Sequence, residues 1–416
     1  MKKSIPGMLL CLLMTVLLVF NAAGCGIQVA AADLMEGVNG QAVTGKAADE
    51  AFVSSSANFA VELFKKTITQ GENSLVSPLS VMLALAMTAN GANAQTKTEM
   101  EAVLGAGMSV EDLNEYLYTY VKNLPTDDKY KLGIANSIWI KDDGSLEVNP
   151  DFLQVNADYY DAAAYKAPFD DQTLADINDW VKNNTDGMID KILDQIDPDM
   201  VMYLINAVLF DAEWQTPYEE GDVNDGTFNA YDDSAQNVKM MGSDEHLYLD
   251  DGMATGFVKN YAGGKYSFAA LLPNEGVSID EYVASLTGEG LIATLANVEQ
   301  SSVRAQLPKF SYEYKIKMND ALAALGMPTA FTGGADFSKM GTSPVGNLFI
   351  GEVVHKTYIE VTELGTRAGA VTEVGMKLTS IPMYDHTITL DRPFVYVIVD
   401  NATNLPIFIG TLLSVG

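Results

Sequence analysis

The sequence predicts an α+β fold, and three kinds of stretch carry that reading. Helical spacing with start signals recurs early in the chain. Phe59, Leu63, Phe64, Thr67 and Ile68 lie at helical intervals within Asn58–Gln70. Ser77-Pro78 has the N-cap and N1 arrangement of a helix start before the apolar Val81–Ala89. Ser109-x-x-Asp112 is a capping-box variant ahead of Leu113, Leu117 and Tyr120. The second signal is Val201–Phe210, nearly all apolar with β-branched residues, which suits a central strand buried on both faces. The third is Val361–Ser380, which alternates. Thr366, Ala368, Ala370, Thr372, Val374 and Met376 fall on one side; Arg367, Gly369, Val371, Glu373, Gly375 and Lys377 fall on the other. The first set is small or apolar, and the second holds every charge between Thr366 and Lys377. That is a half-buried strand by pattern, yet Gly and Ala are poor strand formers. The stretch reads as a conditional strand, with an ordinary edge strand and loop as the plain alternative.

The N-terminus reads as an address. Lys2-Lys3 precede the apolar run Met8–Phe20 and then Ala22-Ala23-Gly24-Cys25, a secretory signal over residues 1–24. The junction Ala22-Ala23-Gly24-Cys25 resembles a bacterial lipobox, which would place a diacylglycerol on Cys25. An ordinary signal cleaved nearby is the alternative. Of the two cysteines, Cys11 leaves with the signal, so the folded part has no thiol, disulfide or Cys-based zinc site. Residues 25–50 lack a clean period and read as a flexible tether reaching roughly 25–30 Å. A net charge of −30 repels nucleic acid and anionic membranes, so the lipid would be the only membrane contact. No repeat of solenoid or propeller type is present.

Further along, Leu132–Ile140 is an apolar strand, and alternating strands follow Asp391-Arg392-Pro393-Phe394 and end at Phe408-Ile409-Gly410. Asn206 is the odd residue in its apolar run; a polar side chain there needs partners.

Some ten short motifs, in order from about residue 52 to 413, resemble the serpin family of protease inhibitors. They include Asn73-x-x-x-Ser77-Pro78-x-Ser80, Ile177-Asn178-x-Trp180-Val181, Trp214-x-x-Pro217-Tyr218 and Leu271-Leu272-Pro273-x-Glu275-Gly276. Leu307-Pro308-Lys309-Phe310, Ala335-Asp336-Phe337-Ser338 and the terminal Pro393-Phe394…Phe408-Ile409-Gly410 continue the series. Glu363-x-Gly365-Thr366-x-Ala368-x-Ala370-x-Thr372 resembles the hinge of the family's reactive-centre loop. Tyr218 stands where Phe is usual, and Arg367 where an acidic residue is commoner. The resemblance implies a large central mixed sheet, two smaller sheets, eight to nine helices, and a single domain over 51–416 with an exposed loop at about 363–391. It also implies a helix over Asp176–Leu193 lying across the main sheet. Ser77, Ser80, Asn206 and His355 would lie where that sheet opens, with Asn206 bonded to His355.

No catalytic motif competes. The chain has three histidines, His246, His355 and His386, and no G-x-S-x-G, Walker or H-E-x-x-H pattern. No cofactor and no metal are expected. His355, within the strand pattern Val353–Val361, reads as a satisfied core histidine. The activity that the serpin resemblance implies is irreversible suicide-substrate inhibition of a serine protease, by a monomer that forms a covalent complex. A non-inhibitory serpin-fold carrier or chaperone is the nearer rival; bulky or charged residues on the inward hinge face would favour it, and none is present. An exported hydrolase or binding lipoprotein is the other. In the family the scissile residue lies sixteen positions after the hinge Glu, which gives Thr379 followed by Ser380. Lys377 would suit a trypsin-like pocket, and Leu378 or Met376 a chymotrypsin-like one. Thr379, small and uncharged, suits the shallow pockets of elastase- or subtilisin-like enzymes.

Overall fold

All of the apolar run Val201–Phe210 but its first residue lies in a twelve-residue strand, Met202–Glu213, whose first nine residues are all buried. It is the middle of a seven-stranded mixed sheet in the computed structural model, which describes residues 31–142, 144, 146–344, 346–366 and 383–415. Across that sheet the order is Ala32–Asp33, Ala163–Ala167, Tyr130–Lys141, Met202–Glu213, Gly365–Thr366, Glu352–Val361 and Phe310–Lys317. Both faces are covered. On one lies α2 (Pro78–Ala89), every residue of which is buried. On the other, Ile177, Trp180 and Val181 pack against Trp139, Tyr203 and Val354 of the sheet. Those three residues belong to a helix over Asp171–Asn184, not Asp176–Leu193. Asp170 caps its start through Thr173, and the left-handed Asp186 and Gly187 follow its end.

The described residues hold nine α-helices. The first begins at Glu50, ahead of the expected Asn58, because Asp49 accepts the Phe52 amide as its cap. The smaller sheets are joined. The sixteen-residue strand Ala235–Asp250 pairs with Val223–Asn229 and Glu299–Pro308, and its last residues pair with Ala254–Asn260. Both strands of the terminal hairpin, Phe394–Asp400 and Leu405–Leu412, are buried throughout, and Ser74–Val76 pairs beyond them at the end of that layer. A two-stranded ribbon joins Glu147–Val148 to Gly341–Thr342.

Two expectations are corrected. From Ala31 onward the stretch expected to be a free tether is strapped to the body. The Ala31 amide donates to Asp176 Oδ2 at 2.9 Å, and Ala32–Asp33 pair with Lys166 and Tyr165 at the sheet edge. Gln41 donates to Asp158, and the Lys46 ammonium pairs with Asp112 and Glu115. Partners lie up to 145 residues away, so no local period reveals the segment. The loop expected to run to 391 is also shorter: His386–Thr389 form an edge strand beside Val303–Gln306, and Leu390 is buried. Residues 1–30, with the signal and Cys25, lie outside the described residues, as do 367–382.

The strap gives a direct test. Lys46 is the one basic residue between Ala31 and Asp49. Brief trypsin treatment of the folded chain should leave the Lys46–Ala47 bond intact, read by mass of the N-terminal fragment. Asp112→Asn with Glu115→Gln should make that bond cleavable. Immediate cutting of the parent protein there would restore the free tether.

Candidate functional site: a half-closed sheet seam

The strands Met202–Glu213 and Glu352–Val361 run parallel, but they pair directly over only part of their length. Their register extends from Tyr203 opposite Glu352 to Ala207 opposite Lys356. At the other end Gly365–Thr366 lies between them, antiparallel to both: Thr366 faces Ala212 on one side and Val361 on the other.

A closed polar network underlies the paired part. The Ser77 backbone amide donates to His355 Nε2 at 3.2 Å, so Nε2 is the accepting nitrogen. Nδ1 then carries the proton and bonds Asn206 Oδ1. Asn206 Nδ2 donates to Ser80 Oγ at 2.5 Å and to Asn136 Oδ1 at 2.6 Å, which fixes its amide orientation. Asn136 returns a bond to the Ser80 carbonyl. His355 and Asn206 are wholly buried, and burial lowers the imidazole pKa to about 3. The ring is neutral and serves as a bridging group rather than a base. Ser77 holds the N-cap position of α2, yet its hydroxyl makes no cap bond and is buried without a partner. Sequence reading placed Ser77, Ser80, Asn206 and His355 here; Asn136 is the addition.

At the open end, three successive carbonyls of the turn before Gly365 are gripped. Trp214 Nε1 donates to the Thr362 carbonyl at 2.9 Å, the Tyr218 amide to that of Glu363 at 2.9 Å, and the Trp214 amide to that of Leu364 at 2.8 Å. Thr366 is 2% exposed, and its hydroxyl lies 2.6 Å from that of Tyr261. The Tyr261 ring in turn stacks on Trp214. Glu363 pairs with Lys309 at 2.7 Å. Burial works against the Glu363 carboxylate, but the bond to Lys309 outweighs it and holds the group below the usual glutamate range. Gly365 and Thr366 thus belong to the sheet already. The other positions expected to form a hinge, Ala368, Ala370 and Thr372, lie outside the described residues, as do the candidate reactive-bond residues Met376, Lys377, Leu378, Thr379 and Ser380.

The chain reappears at an anchor. Tyr384 donates to Asp244 at 2.7 Å, Asp385 accepts the Ser302 amide at 3.0 Å, and the His386 ring stacks on Tyr248. The described chain is thus anchored before residue 367 and again from Tyr384 onward. One partner at the mouth escaped sequence reading, Lys259. A lysine next to the apolar pair Phe257-Val258 was the available signal, since charge in a buried strand demands a partner. Among the described residues no group of His, Cys, Asp and Glu side chains could hold a metal. No helix there is long and apolar enough to cross a membrane.

Comparison with known proteins agrees with this geometry. Residues 54–415 match the family model described as Serpin (serine protease inhibitor). Human alpha-1-antichymotrypsin is 30% identical over 384 residues, covering 89% of each chain. The crystal structure of a thermophilic serpin, tengpin, in the native state superposes with a TM-score of 0.90 at 54% identity, over 92% of this chain and 99% of that one. The latent state of tengpin gives 0.80, over 90% of this chain and 100% of that one.

The network predicts a pH dependence. The folded pKa of His355, about 3, lies below the unfolded value near 6.5. The unfolded chain therefore binds the extra proton between these values, and stability falls with pH through that window. By linkage the loss from this group is about 2 kcal/mol between pH 6.5 and 5. Replacing His355→Asn should remove that component of the acid slope in urea titrations; an unchanged slope would refute it. His355→Ala leaves Asn206 without its donor and should destabilise at pH 7 by ~1–3 kcal/mol.

Proposed function

The chain belongs to the serpin family, and from that premise we propose that it is an inhibitory serpin that traps a serine protease by inserting its cleaved loop into the seam. Serpins are generally protease inhibitors rather than enzymes, so the catalytic groups belong to the target. The observation that carries the reading is the position of Gly365–Thr366 between the two strands into which the loop would go. Extending that antiparallel register sets each later inward residue. Ala368 comes opposite Phe210 and Ile359, Ala370 opposite Val208 and Thr357, and Thr372 opposite Asn206 and His355. All four inward residues are small enough for a closed sheet, and Thr372 brings a hydroxyl to the point where the histidine–asparagine bond must part. On the outer face, Arg367 comes between Asp211 and Glu360, which suits its charge.

The protease supplies its serine. The hydroxyl oxygen attacks the Thr379 carbonyl carbon, the Thr379–Ser380 bond breaks, and the new amine of Ser380 leaves with a proton. The acyl-enzyme is then carried along the sheet. Fourteen residues, Thr366–Thr379, at ~3.4 Å each move it roughly 48 Å. Displacement strains the protease and stops deacylation. The molecule acts as a monomer, exported and held at a cell surface by lipid on Cys25, or released. Elastase- and subtilisin-like enzymes fit the small Thr379 best. A carrier or chaperone role gains no support from a hinge with this inward face.

Two measurements test this. Mass spectrometry after incubation with an elastase- or subtilisin-like protease should find an SDS-stable complex and a released peptide beginning at Ser380. A peptide beginning at Leu378, with fast complexes on trypsin, would move the bond to Lys377. Thr366→Arg puts a charge between Ala212 and Val361, at a cost of several kcal/mol, and should convert the inhibitor to a substrate. Complex formation at unchanged stoichiometry would overturn insertion of this face.

A further inference from the structure

We propose that Lys259 is a positioning residue for loop insertion, its buried ammonium holding in place the turn that grips the hinge. This rests on the reading that the loop inserts at Gly365–Thr366. Lys259 lies near the end of the strand Ala254–Asn260 in the second sheet, and its side chain is only 3% exposed. Its ammonium sits 4.3 Å from the centroid of the Tyr218 ring and 5.6 Å from that of Trp214. Glu245, on the strand Ala235–Asp250, pairs with it at 2.9 Å, and the same carboxylate oxygen accepts the Ser243 hydroxyl at 2.7 Å. The ammonium is thus fixed by one strand and presented to two rings.

Those two rings belong to the residues that donate to the hinge carbonyls. Trp214 holds Thr362 and Leu364, and Tyr218 holds Glu363. A line of contacts therefore runs from Glu245 through Lys259 and the ring pair to the turn Thr362–Gly365. That turn closes on itself, the Thr362 amide donating to the Gly365 carbonyl at 2.9 Å. It reverses the chain from the strand Glu352–Val361 into Gly365–Thr366. The inserting strand would keep the same reversal, since it continues from Thr366 in the same register. The clamp therefore favours the first step of insertion and does not oppose it. A cation desolvated over aromatic faces is strongly attracted to them, whereas an ion pair buried only for stability is replaceable by apolar groups. The rings give this charge a local task that an apolar side chain cannot copy.

The test uses the full chain with Lys259→Met, which keeps length and apolarity, and with Glu245→Gln, which removes only the anchor. Hydrogen exchange is measured at the Leu364–Thr366 amides of the protein alone, with Phe394–Asp400 as the control strand. Hinge exchange should rise about tenfold in Lys259→Met, the shift a desolvated cation–π contact commands, and less in Glu245→Gln, with the control unchanged. The stoichiometry of inhibition of a subtilisin-like protease should rise in the same order, while the site of cleavage stays the same. Hinge exchange equal to the parent's, or hinge and control rising together, would overturn the proposal. Should Lys259→Met fail to fold, the Glu245→Gln hinge exchange decides by the same criteria. A parent protein that forms no covalent complex would instead defeat the inhibitory reading, and the exchange measurement would still judge the clamp.

Discussion

The bond from the His355 ring to the Asn206 amide crosses a seam that is only partly shut. Beneath it, the two strands pair in parallel from Tyr203 to Ala207. Above it, a two-residue wedge already separates them. Parallel pairs are somewhat weaker per residue than antiparallel ones. A strand entering from the wedge would exchange one short parallel ladder for two antiparallel ladders. The network below the seam is suited to that exchange. Its members bond mostly to one another, and the Ser77 hydroxyl beside it is held without a partner. Opening the seam would strand the histidine and asparagine unless an incoming hydroxyl replaced their bond.

The seam was legible in the sequence where a residue broke its local pattern. Asn206 stood out in an apolar run, and the hinge stood out because its alternation was regular while its propensity was poor. Each departs from its own immediate neighbours, so pattern reading reaches it; that the two meet at one seam was implied by the serpin resemblance. The strap at Ala31–Asp49 was not legible, because its contacts go to side chains on distant helices and to the sheet edge. Helix ends failed for a related reason. Asp49 sets where its helix begins through one cap bond and Asp170 through a capping box with Thr173, while apolar spacing shows only which part of a helix is buried. Lys259 lies forty-odd residues after Trp214 and Tyr218 and about a hundred before the turn Thr362–Gly365, and nothing local pairs it with either.

The functional surface is also not a pocket. A cavity of about 500 Å³ opens beside Leu83, Met87, Tyr118 and Trp180, and another of about the same volume lies near Ala92 and Phe152. Neither is lined by the hinge or by the residues that grip it. For an enzyme this would be a difficulty, because reacting groups must converge in a shielded space. A protein that is itself the substrate has no such need. What it requires is a segment held at both ends and a sheet able to accept it. Those parts are backbone features, so the proposed role asks for no catalytic histidine, and His355 serves instead as a neutral bridge.

The alternation of the hinge then separates two tasks that might otherwise conflict. Insertion is driven largely by main-chain bonds, which every non-proline residue offers. Side chains enter that balance mainly through size and charge on the inward face, where Thr366 already fits beside Tyr261. The outward residues and those around Thr379 are left free of that demand, so their chemistry can answer to a protease pocket. The same division makes the region weak as an ordinary strand. Small inward residues add little packing until a sheet closes around them on both sides. Under the proposed mechanism such a sequence would pair poorly alone and well inside the seam, and that difference would be the free energy a trapped protease has to reverse.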